Sequence, residues 1–99
     1  MADVATFRGL AHDLRRHSAA REWDLLQATD ALLRRAWQRA PAPGARAEPL
    51  ARAMADALAA HDQAYLLTQR AATDARRRLS GLGPWREGVL GYLRMNDDR

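Results

Sequence analysis

Residues 49–82 read PLARAMADALAAHDQAYLLTQRAATDARRRLSGL, and this stretch decides the fold. Mostly apolar or small residues recur along it at alternating spacings of four and three: Met54, Leu58, His61, Tyr65, Thr68, Ala72, Ala75 and Leu79. Such a heptad-like seam lets one helix lie along others for its whole length. At about 1.5 Å of rise per residue, the helix would be a rod on the order of 48 Å long. A rod of that length cannot bury itself, so the remaining chain or a partner must cover it. Pro49 suits its first turn, where the missing N–H costs nothing. Leu79-Ser80-Gly81-Leu82-Gly83-Pro84 ends it, with Gly81 expected in the left-handed position after the helix and Pro84 barring re-entry. Arg76, Arg77 and Arg78 then face the negative end of the helix dipole.

Upstream, Asp3 is a suitable N-cap for a first helix over about 3–17. Val4, Phe7, Leu10, Ala11 and Leu14 fall on one stripe, with Arg8, Asp13, Arg15 and Arg16 mostly outside it. The stripe lapses around His17-Ser18-Ala19-Ala20. Ser18 is a candidate cap for a new helix, without the Glu or Gln three residues on that would complete a capping box. A break is expected there, with one continuous bent helix as the alternative. The second helix, about 20–39, carries Trp23, Leu26, Leu33 and Trp37 near one face and Leu25, Ala28, Leu32 and Ala36 on an adjacent stripe. Two stripes give more apolar surface than one neighbouring helix needs. Pro41-Ala42-Pro43-Gly44 stops this helix and reads as a loop joining antiparallel helices.

Downstream, residues 84–93 suit a short final helix with Trp85, Val89, Tyr92 and Leu93 apolar. Gly88 and Gly91 each weaken it by about 1 kcal/mol relative to Ala. No strand pattern or internal repeat is present. The fold class is therefore all-α: an elongated antiparallel bundle of three main helices plus the short C-terminal one, forming a single domain over residues 1–99.

Composition narrows the function classes. The chain has no cysteine, which removes disulfides and thiolate metal sites. Its N-terminus lacks the pattern of a secretory signal, and no apolar run is long enough to span a membrane, so a cytoplasmic location is expected. Its sixteen basic residues are all Arg, and with the Ala richness this fits GC-rich codon usage. The net charge is only +4, with twelve acids interspersed among the arginines. That arrangement is the usual one for a solvated helical face.

The residues give little purchase for catalysis. His12 and His17 stand five apart, on different helical faces, and neither has a metal partner at i+4. His61, beside Asp62 and one turn before Tyr65, would need a carboxylate or second His from another helix, and nothing in the sequence selects one. Ser18 and Ser80 sit at cap or terminus positions outside any nucleophile elbow. Gly81-Leu82-Gly83-Pro84 lacks the phosphate-loop fingerprint. No enzyme activity, metal or cofactor is expected.

Arg34-Arg35-Arg39 and Arg70 with Arg76-Arg77-Arg78 and Arg86 are local basic clusters, so a nucleic-acid-binding or transcription-regulating helical protein is the alternative reading. Consecutive arginines point around a helix and cannot all face one duplex. Any DNA binding they support should vanish by physiological salt. Protein binding fits the composition better. Three Trp and two Tyr exceed what Ala-rich packing needs, and large aromatics at element ends anchor interfaces. The competing reading is that they plug the bundle ends.

Ala20-Arg21-Glu22-Trp23-Asp24-Leu25-Leu26, opening a second helix after a short first one, resembles the Trp-Asp-x-Leu element of FliT-type flagellar export chaperones. The likeness continues through a Pro-containing loop, a long third helix with His61-Asp62-Gln63 in its middle, Arg70 followed by Asp74, and Tyr92 in Val89-Leu90-Gly91-Tyr92. It covers about residues 4–93. The resemblance implies a cytoplasmic, substrate-specific chaperone of flagellar type III export. It would bind the C-terminal region of the filament-cap protein, with the export ATPase complex and the flagellar master regulator as further partners. Surplus apolar surface suits a groove for a partner's amphipathic helix. The residues expected at that interface are Leu33 and Trp37 on the second helix, Tyr65, Leu66 and Gln69 on the third, and Trp85 and Tyr92 in the final segment. Self-association into a homodimer through the wide apolar face stays open.

Overall fold

A computed structural model describes residues 3–81 of the chain. Among these residues the regular elements are helical: α1 (Val4–Ala19), α2 (Trp23–Arg39) and α3 (Glu48–Ser80), with a 3-10 turn at Pro43–Ala45. The chain is all-α, as the periodicity predicts. The expected helix over 84–93 lies outside the described residues. The chain divides into two compact units, Met1–Thr68 and Gln69–Arg99.

In the first unit, α1 begins where the sequence places it. The Thr6 amide donates to Asp3 Oδ1 at 2.9 Å, and the Thr6 hydroxyl donates to the same oxygen. These bonds, the backbone one foremost, hold the Asp3 carboxyl below its ordinary value. The expected stripe is the buried one: Phe7, Leu10, Ala11 and Leu14 all lie in the core, and Val4 packs against it.

The junction between α1 and α2 departs from expectation. Ser18 caps no new helix. It lies buried within α1, and its hydroxyl donates to the Arg15 carbonyl at 3.1 Å. A carbonyl one turn back satisfies the hydroxyl without ending the helix. α1 therefore runs two residues beyond 17, and α2 starts at Trp23 instead of 20. Arg21 turns the chain with φ 57°, a left-handed conformation that a non-glycine residue adopts at a cost. Glu22 precedes α2 but makes no side-chain cap. Its carboxylate instead lies 3.3 Å from Nδ1 of the buried His17, and its amide donates to the His17 carbonyl.

The core of this unit draws on all three helices. Phe7, Leu14 and Met54 are its largest fully buried side chains, each contributing about 1.5–3 kcal/mol of apolar burial. α2 adds Leu26, Leu33 and Ala36, while α3 adds Ala53, Ala57, Ala60 and Ala64 beside Met54. Met54 of the expected seam is buried, but the other buried α3 residues, Ala53, Ala57, Ala60 and Ala64, keep the spacing of four, three and four one residue before the expected seam. Leu58 and Tyr65 are exposed. One residue is about 100° of rotation, enough to turn the leucine and tyrosine outward. Apart from Met54, α3 gives the core only alanines, small enough to sit under the bulky side chains of α1 and α2.

The loop after α2 is anchored by one residue. Arg46 Nε donates to the Pro41 carbonyl at 2.9 Å, and its guanidinium lies 5.6 Å from the centre of the Trp37 ring. Trp37 in turn meets Phe7 edge to face, with ring centres 6.1 Å apart. At the surface, Arg15 of α1 and Asp56 of α3 form a bidentate ion pair at 2.6 and 3.1 Å.

The described part of the second unit, residues 69–81, is the end of α3. Ala71 and Ala72 are half-buried and the remaining residues exposed. Arg77 and Arg78 occupy the last turn, as the dipole favours. Gly81 is not left-handed: its φ lies outside the positive region, and its amide donates to the Arg77 carbonyl at 3.0 Å, an α-type bond. The helix ends without the expected glycine device.

Candidate partner-binding groove

A groove of about 320 Å³ lies between α2 and α3 in the first unit. Leu14, Leu26 and Ala64, all core residues, make its floor. Trp23 and Tyr65 flank it, one from each helix. Trp23 is half-buried, whereas Tyr65 is 60% exposed. An apolar floor with aromatic walls is the make-up of a site for an apolar side chain or helix face.

The groove also carries a polar cluster. Asp30 on α2 places Oδ1 2.8 Å from Nε2 of His61 on α3, and Oδ2 3.0 Å from Arg34 one turn along. Oδ1 is buried, and His61 approaches it off the line of a good hydrogen bond, so the two groups are in close contact without an aligned donor. His61 Nδ1 stands 3.4 Å from Asp62 on the other side. The cluster therefore offers a carboxylate already neutralised by its neighbours, with the Arg34 guanidinium largely exposed at the rim. Gln27 and Thr68 complete the polar lining, although the Thr68 hydroxyl is taken by the Ala64 carbonyl at 2.9 Å.

The residues expected at an interface are only partly brought together. Tyr65 lines the groove. Leu66 is 56% exposed but lies outside the lining. Leu33 belongs to the core at 5% exposure and lies outside the groove's lining. Trp37 is half-buried against Phe7 and Arg46 and closes the end of the core away from the groove. Gln69 is exposed and falls in the second unit. Trp85 and Tyr92 lie outside the described residues.

Sequence reasoning missed the pairing of Asp30 with His61 and the role of Trp23 as a groove wall. A polar residue interrupting the apolar face of each helix was the available signal. Single interruptions do not name their partner across space, so the pairing needs the fold. Among the described residues, no three His, Cys, Asp or Glu side chains converge in a way that could hold a metal ion. No helix among them is long and apolar enough to cross a membrane. No family model, curated protein or solved structure matches the chain.

Proposed function

We propose that this chain is a non-catalytic, helix-binding protein of the FliT type, acting in the cytoplasm as a substrate-specific chaperone of flagellar type III export. In this reading the α2–α3 groove takes an amphipathic helix from the C-terminal region of the filament-cap protein and helps deliver it to the export apparatus. The export ATPase complex and the flagellar master regulator are further partners of the same assignment. In this reading the helices form an antiparallel bundle, an arrangement supported for α1 and α2 by Phe7, early in α1, meeting Trp37, late in α2.

The observation that carries the reading is the exposed Tyr65 lining, with Trp23, a groove that also takes in the core residues Leu14, Leu26 and Ala64. Isolated exposed leucines need no explanation, but a concave apolar strip edged by aromatics is costly to leave in water and suits a helix in a groove. The FliT-like run Ala20–Leu26 supplies Trp23 and Leu26 to this groove, so the sequence likeness and the geometry meet at the same residues.

Co-purification tests it. The full chain, tagged, is expected to retain the C-terminal fragment of the filament-cap protein of the same organism. No detectable binding at roughly 50 µM, weaker than about −6 kcal/mol, would remove the assignment.

A further inference from the structure

We propose that Arg34 is the specificity-determining residue of the α2–α3 groove, selecting an amphipathic helix that carries a carboxylate beside its apolar stripe. This role rests on the helix-binding reading and decides which helices the groove accepts. Trp23, Leu26, Gln27, Asp30 and Arg34 are the α2 residues of the lining. Their spacing puts them on one stripe of about 16 Å, about three turns of α2. Trp23 stands at one end of that stripe and Arg34 at the other. The α2 side of the groove is therefore aromatic at one end and cationic at the other.

Of the lining's two formal charges, Arg34 is the one open to a ligand. Asp30 keeps Oδ1 buried close to His61, and its Oδ2 lies 3.0 Å from Arg34. Asp62, on the other side of His61, is outside the lining. The Arg34 side chain is 75% exposed. Asp30 is its one ion-pair partner among the described residues. That contact runs through Nη2, steadies the head group and leaves the rest of the guanidinium unengaged. A guanidinium is a planar fork that can hold a second carboxylate through parallel hydrogen bonds. A helix laid over the groove strips water from Arg34, and a facing carboxylate offsets that cost. A Lys or Arg at the same register is repelled. The carboxylate belongs about three turns from the apolar residue that meets Trp23, so it also fixes the direction of the bound helix.

Isothermal titration of the C-terminal fragment of the filament-cap protein into the full chain and its Arg34 variants reads this role. Arg34→Gln should weaken binding roughly five- to tenfold, and Arg34→Glu more. Raising NaCl from about 50 to 500 mM should weaken the parent chain more than Arg34→Gln. Each Asp and Glu of the fragment is then changed in turn to Lys. At one position the change should weaken binding to the parent chain and restore binding to Arg34→Glu. Restoration by a change in the ligand excludes misfolding, or release of Asp30, as the cause of the loss. Binding indifferent to Arg34→Gln and Arg34→Glu overturns the role of Arg34 and leaves helix binding standing. So does the lack of any compensating position. A fragment that does not bind the parent chain removes the helix-binding assignment, and the role of Arg34 with it.

Discussion

Asp30 Oδ1 lies 2.8 Å from His61 Nε2, joining α2 to α3 beside the groove. The contact sits at the edge of the apolar core and is flanked by Arg34, so the carboxylate never stands alone in a low-dielectric setting. Both residues line the groove, with Trp23 and Tyr65 also in its lining.

This contact should appear as an energetic coupling. In a double-mutant cycle, Asp30→Ala and His61→Ala should interact by about 0.5–1.5 kcal/mol in urea denaturation, the range for a partly buried polar pair. Strictly additive losses would show that the two groups are neighbours without consequence.

The alanine seam of α3 makes a second, contrary-looking prediction. Ala57 is fully buried, so Ala57→Leu should overpack the core and destabilise the protein by about 1–3 kcal/mol. Leu58→Ala, one residue on and exposed, should change stability by no more than about 0.5 kcal/mol. Thermal or urea unfolding of the two variants checks both, and a reversed order would mean that α3 presents its other face.

Much of the fold is legible in the sequence, and particular residues show where legibility stops. Asp3, the Phe7–Leu14 stripe and the prolines after Arg39 act through local rules of capping, periodicity and steric exclusion, and the helices begin or end accordingly. The seam of α3 failed by a single residue because Ala and Leu both satisfy an apolar pattern. Only the size of the residues on α1 and α2 decides which of them is buried. Ser18 misleads similarly, since its hydroxyl serves a helix interior as readily as a cap. The groove is the least legible element, because it needs residues of α2 and α3, Asp30 and His61 among them, to be brought together by the fold.

Arg21 holds the left-handed turn between α1 and α2. Glycine adopts that conformation without a Cβ clash, so Arg21→Gly should be neutral or stabilising by up to about 1 kcal/mol despite the added freedom of the unfolded chain. Arg21→Val, β-branched at the same φ, should destabilise by about 1–2 kcal/mol. Melting temperatures of the pair give the comparison.

Acid should release the Arg15–Asp56 pair. The hydrogen-bonded Arg15 guanidinium is the main cause holding the Asp56 carboxyl below its ordinary value. A carboxyl depressed in the folded state stabilises the protein above its unfolded pKa, and this contribution is lost as pH falls through the lower folded value. Both side chains are about half exposed, so solvent limits the effect to about 0.2–1 kcal/mol. Asp56→Asn should therefore lower stability at neutral pH and narrow its difference from the parent chain below about pH 4, as followed by urea titrations at several pH values. A gap that persists unchanged into acid would place the stabilisation elsewhere.

The central claim is that the α2–α3 groove binds an amphipathic helix of the filament-cap protein. Isothermal titration of its C-terminal fragment into the full chain and into Tyr65→Ala tests this most directly. Tyr65 is exposed and outside the core, so its truncation should leave the fold intact. The account predicts saturable binding by the parent chain and a loss of about 1–2 kcal/mol, roughly five- to thirtyfold in Kd, for the variant. No heat of binding to the parent chain, or an affinity that Tyr65→Ala leaves unchanged, would contradict it.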